Sequence, residues 1–140
     1  MPSARVYNSA AISITSGTLT ALTFDTERYD NDAIHSVTTN TGRLTCVTAG
    51  RYVITGSVEF TAGAGTYRLL EVLLNGATII SSLRVPPPSS GLTRLSIATQ
   101  YNLAATDYVE LRVQHDVGSA INMNSSGNYS PEFAMALLGS

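Results

Sequence analysis

Polar and apolar residues alternate along most of this chain. Between Arg51 and Phe60, Tyr52, Ile54 and Val58 fall on one parity and Val53, Thr55, Ser57 and Glu59 on the other. Period two is the mark of a half-buried strand. Tyr108 to Gln114 repeats it, with Val109, Leu111 and Val113 set against Tyr108, Glu110, Arg112 and Gln114. Shorter apolar pairs extend the pattern: Ile12 with Ile14, Leu22 with Phe24, and Leu95 with Ile97. Between Leu74 and Ala77 lies Asn75-Gly76, two residues that tolerate the positive φ angles of a tight hairpin. The segments 25–33, 61–66, 84–91 and 117–131 are polar, glycine-rich or proline-rich, and read as loops. No run shows helical periodicity, and no repeat of fixed length recurs. The pattern predicts an all-β chain, with the parities of Tyr52 and Val109 filling the space between two sheets. Eight to ten short strands in a two-sheet jelly-roll sandwich are expected for one domain spanning residues 1–140.

Composition sharpens this. Hydrophobic residues make up 44% and charged residues 13% of 140 residues, a globular balance. Net charge is −2, and all eight cationic residues are Arg, none of them in a basic run. That argues against nucleic acid or an anionic membrane surface as partner. Cys46 is alone, so no disulfide framework is expected, and Leu44-Thr45-Cys46-Val47 reads as packed core. Residues 1–7 lack the basic head and apolar run of a signal peptide.

Candidate chemistry is sparse. His35 and His115 are the only histidines, and they lack the clustering that a metalloenzyme of jelly-roll type needs. His115-Asp116 is an acid–base candidate whose simpler reading is a solvated turn. Glu59 with Glu110, and Asp30 with Asp32, are the carboxylate pairs. Asp30-Asn31-Asp32 alternates oxygen ligands and is the candidate for Ca²⁺, with a plain polar turn as the competing account. No catalytic residue is expected. Tyr67, Tyr101 and Tyr129 are candidates for stacking on sugars.

Several motifs in order resemble a known family. They are Leu22-Thr23-Phe24-Asp25, Ala49-Gly50-Arg51-Tyr52-Val53-Ile54, Leu73-Leu74-Asn75-Gly76, Asp107-Tyr108-Val109-Glu110-Leu111, and Pro131-Glu132-Phe133-Ala134-Met135-Ala136-Leu137-Leu138. Together, from Arg5 to Leu138, they resemble the globular head of the complement one-q and tumour necrosis factor superfamily. Ile54 stands where that family usually has an aromatic, and Thr106 and Met135 stand where it has glycine. Such departures fit bacterial and bacteriophage versions.

The resemblance implies a ten-strand jelly roll that forms a tight three-fold trimer, with an inner sheet drawn from 51–60, 107–114, 133–138 and the N-terminal strand. The expected interface is then the non-core parity of those strands: Val53, Thr55, Ser57, Glu59, Tyr108, Glu110, Arg112, Ala134, Ala136 and Leu138. Glu110 and Arg112 are expected as inter-subunit ion pairs. The role expected is a bacteriophage virion protein, a homotrimer decorating a capsid or capping a fibre. It would be made in the host cytoplasm, with capsid or tail proteins as partners. The alternative is a receptor- or glycan-binding head using the four loops.

Overall fold

The computed structural model describes residues 1–140 and contains twelve strands and no helix. In chain order they are β1 (Ser3–Tyr7), β2 (Ile12–Ile14), β3 (Thr20–Ala21), β4 (Thr26–Asp30), β5 (Arg43–Thr45), β6 (Gly50–Phe60), β7 (Arg68–Leu74), β8 (Thr78–Val85), β9 (Thr93–Leu103), β10 (Tyr108–His115), β11 (Ile121–Met123) and β12 (Glu132–Gly139). Two more strands form than the ten expected. β4 is the polar run Thr26-Glu27-Arg28-Tyr29-Asp30, and as an edge strand pairing only with β1 it buries no apolar face. β11 has three residues, too few to show a period.

The strands divide into two antiparallel sheets. In the larger, β9, β6, β12, β1 and β4 lie side by side, and β11 extends the sheet beyond Phe60 and pairs with β2. In the smaller, β8, β7 and β10 lie side by side, and β3 and β5 share the far edge of β10. The long ladder of β6 with β9 runs unbroken from Gly50 opposite Leu103 to Phe60 opposite Thr93.

The alternation places the core where the sequence predicts it. Tyr52, Ile54, Val58, Val109, Leu111, Val113, Leu22, Phe24, Leu95 and Ile97 are all buried, and Cys46 is packed among them. Burial pushes the Cys46 thiol above its ordinary value, so it stays protonated and inert. Asn75 and Gly76 both take positive φ, +53° and +69°, closing the β7–β8 hairpin as expected.

Sheet membership corrects one expectation. β10 belongs to the smaller sheet, and β6, β12 and β1 to the larger. Tyr108, Glu110 and Arg112 therefore lie on the opposite outer surface from Val53, Thr55, Ser57, Ala134 and Ala136. Alternation tells which parity meets the core; it does not tell which sheet a strand joins.

Thr106, in the family's glycine position, has φ +78°. A β-branched residue there is strained, while glycine is not. Thr106→Gly is expected to raise stability by about 0.5–1 kcal/mol, the relieved strain less the added chain entropy. Urea unfolding with an unchanged slope checks it.

Candidate interface

The outer face of the larger sheet is built from short side chains. Val53 lies opposite Ala136 and Gln100, Thr55 opposite Ala134 and Ala98, and Ser57 opposite Glu132 and Ser96. Arg5 lies opposite Ala134 on the next strand. Two shallow grooves result. One, of about 410 Å³, runs over Thr55–Ser57 between Arg5 and Ser96. The other, of about 150 Å³, lies over Val53 and Ala136 beside Tyr29.

Toward the Phe60 end this face becomes charged, and its carboxylates are sunk and paired within the chain. Glu132 accepts from Arg5 Nε at 2.7 Å and from Arg28 Nε and Nη2 at 2.9 and 2.8 Å. Arg28 in turn stacks on Tyr7 at 4.2 Å. Glu59 accepts from Arg94 Nε at 3.2 Å, and Arg94 lies over the Tyr129 ring at 5.0 Å. Glu59 is thus a buried anchor for Arg94, not the open interface position expected. Leu138 lies half-exposed at the rim, beside the register shift between Leu137 and Gly139.

The smaller sheet's outer face is different in kind. Arg112 donates to the buried Glu71 within the same chain. The expected Glu110–Arg112 pairing between subunits is therefore replaced by a bond inside one. Arg43 lies over Tyr108 and Arg84 over Tyr67, each at 4.0 Å. This face carries its own ion pair and cation–π stacks.

The histidines and acidic candidates do not converge. His115 is fully buried, not part of a solvated turn. Its Nε2 donates to the Ile14 carbonyl at 2.8 Å, and Nδ1 accepts from the Val117 amide at 3.2 Å. Asp116 turns away from it to Thr66. The Asp30 carboxylate accepts three backbone N–H groups, from Asp32, Ile34 and His35, and Asp32 accepts from the Thr48 hydroxyl. Those contacts organise a turn. His35 lies between Glu27 and the Thr41 carbonyl, at 3.0 and 2.8 Å. Glu59 and Glu110 stand on different sheets.

Of the four loops, 61–66, 84–91 and 117–131 gather at the Phe60 end, while 25–33 is largely the edge strand β4. Asp116 ties two of the gathered loops together, accepting from the Thr66 and Tyr67 amides at 2.7 and 3.1 Å and from the Thr66 hydroxyl. Gly65 at φ +91° makes room for it, since a Cβ there would lie 2.5 Å from Asp116 Oδ1. The Thr66 hydroxyl bond, with the two amides, holds the Asp116 carboxyl down at about 2. The folded value lies below the ordinary 3.8, so the tether is complete above that value and lost as pH falls through about 2. Loss of protection at the Thr66 and Tyr67 amides on acidification, measured against the unstructured exchange rate at each pH and absent in Asp116→Asn, is the expected result.

Arg68 is the residue that the pattern of parities hid. It is in phase with Leu70 and Val72 and is fully buried. An Arg on the apolar parity was the available signal. Glu71 and Glu132, buried on outward parities, carried no such signal.

No protein-family model matches the chain, and no curated protein matches it in sequence. Solved structures are similar in fold. The globular domain of zebrafish complement 1qA matches with a TM-score of 0.68 at 16% identity, over 99% of this chain and 98% of that one. Murine APRIL matches at 0.75 and 11%, over 98% of each. Eiger TNF from S. frugiperda matches at 0.71 and 12%, over 100% and 95%. At these identities the likeness is one of fold, and it spans whole domains. The chain is thus a two-sheet jelly roll with the fold of the C1q and TNF-like head domains.

Proposed function

We propose that three copies of this chain assemble through the outer face of the larger sheet, and that the trimer is a structural part of a bacteriophage virion, decorating the capsid or capping a fibre. The observation that carries the assembly is the middle of that face. Val53, Thr55, Ala98, Ala134 and Ala136 form a field of short side chains, and the neighbouring carboxylates are already paired in place. Asp, Glu, Lys and Arg are the residues most often left to water, and none stands among these five positions. Obligate interfaces bury roughly 2,000 Å² or more and are more apolar than ordinary surface. Three copies would present three loop-bearing ends in parallel, so that weak contacts add by avidity.

The virion role draws on the fold, on sequence departures of the bacterial and phage kind, and on a surface organised for contact. Light scattering of the purified chain is expected to give three chains per particle. Imaging of the phage that encodes it is expected to place three-fold knobs on the capsid or at a fibre tip. A monomer at micromolar concentration would overturn the assembly; a particle lacking the protein would overturn the role.

A second reading, a receptor- or glycan-binding head, is favoured by the convergence of three loops on one end. There, segments 62–65 and 87–91 line an open cleft of about 480 Å³. A reproducible hit on a glycan array is the result expected for it.

A further inference from the structure

Arg68 poses a question that the core does not answer. Its guanidinium is buried, and no carboxylate forms an ion pair with it. Nη1 donates to the Tyr67 carbonyl at 3.0 Å, and Nη2 to the Gly63 and Ala64 carbonyls at 2.9 Å each. Nε has no partner. Desolvation lowers its hold on the proton, and Asp116 opposes that only through space. The buried cation is held by carbonyls, and its field is offset only in part, by Asp116 through space.

The field has an outlet. In a trans peptide the C=O and the N–H point in opposite directions, and the only cis bond in the chain is Ser130–Pro131. The Gly63 and Ala64 carbonyls point at the guanidinium, so the N–H groups of Ala64 and Gly65 point away from it. Neither N–H donates to any protein atom. These same residues form one wall of the 480 Å³ cleft, whose other wall is Pro87 to Gly91. Two adjacent amides, polarised from behind by a buried positive charge, make a concavity suited to an anion. Arg84, exposed on the Tyr67 ring, adds a second positive charge at this end. Asp116 stands beside the loop, and its oxygens are turned to Thr66 and Tyr67.

We infer that the cleft between the glycine loop and the proline loop binds the carboxylate of an acidic sugar. The acid group would accept from the Ala64 and Gly65 amides. The ring would lie between pyrrolidine faces and the hydroxyl-bearing Ser89 and Ser90, an apolar wall with a few polar groups. An acidic peptide fits less well, since the cleft offers no free strand edge and no side-chain pockets. The inference deepens the glycan-binding reading and is independent of the trimer, because the cleft is complete within one chain.

Amide NMR of the ¹⁵N-labelled chain tests it, with glucuronate as ligand and glucose as its uncharged control. Glucuronate is expected to move the Ala64 and Gly65 signals to saturation, and glucose to leave them in place. Arg84→Gln is expected to weaken glucuronate about threefold, the effect of one exposed, screened charge. Arg68→Met is expected to abolish binding; should that variant not fold, Arg84→Gln decides. Unmoved Ala64 and Gly65 signals, equal movement with glucose, unchanged affinity in Arg84→Gln, or tighter binding of an oligo-glutamate peptide each overturns the inference. Shifts from a neutral glycan elsewhere on the loop end would overturn this site and leave the broader glycan reading standing.

Discussion

Ala136→Arg is expected to convert the proposed trimer into a folded monomer. Ala136 lies opposite Val53 on one side and Ser3 on the other, in the middle of the field of short side chains. In a single chain the new guanidinium reaches solvent, so folding is unaffected. In the trimer it would enter each interface without a partner, because Glu59 and Glu132 are already bound to Arg94, Arg5 and Arg28. An unpaired charge sealed in an interface costs several kcal/mol, on the order of 3–5 for a fully buried one, and the trimer carries three. Light scattering should then report the 14.8 kDa of one chain, with an unchanged β-type circular dichroism spectrum. Tyr108→Arg is the matched control on the opposite sheet, and is expected to leave the assembly intact. The reverse outcome would move the interface to the smaller sheet. The pair therefore decides between the two faces, which strand parity alone does not separate.

That ambiguity shows what the sequence makes legible. Parity is written in every strand, because burial acts on alternate residues. Tyr52, Ile54, Leu111 and Val113 were readable as core for that reason, and Asn75-Gly76 as a hairpin because few pairs accept two positive φ angles. Partnership is written nowhere locally. β6 and β10 carry the same alternation, and only the crossing of the chain between sheets separates Thr55 from Glu110. β4 was hidden by its polarity: at an edge, its outward residues meet water on one face and Glu132 on the other. Glu132 and Glu71 were hidden by the opposite effect, since neighbouring arginines rather than apolar residues cover them. The fold-level resemblance came through because its motifs are mostly turn and core residues. The loop-end cleft did not, because its chemistry rests on which way two peptide planes face around Arg68.

Phe133→Ala is expected to cost about 3–5 kcal/mol, the range for deleting a buried phenyl ring and leaving part of its cavity. Phe133 is fully buried, with its ring 5.7 Å from that of Phe24. It lies between Val6 and Gly56 in the ladder. Gly56 has no side chain because Leu111 of the opposite sheet fills the space; a Cβ there would lie 2.6 Å from Leu111 Cδ1. The row therefore has no spare bulk to slide into a hole left by the phenyl group. Domains of this kind hold only about 5–15 kcal/mol in total, so the loss is a large share of it. Urea unfolding should show a lower midpoint at constant slope, measured at one protein concentration because association adds to apparent stability. Phe133→Leu, which keeps most of the volume, should lose far less. A loss below about 1 kcal/mol for Phe133→Ala would mean that the row collapses onto the gap, and that the two sheets are not held at a fixed spacing by Phe24, Phe133 and Leu111. The outer face, whose flatness depends on that spacing, would then lose its claim to be a preformed interface.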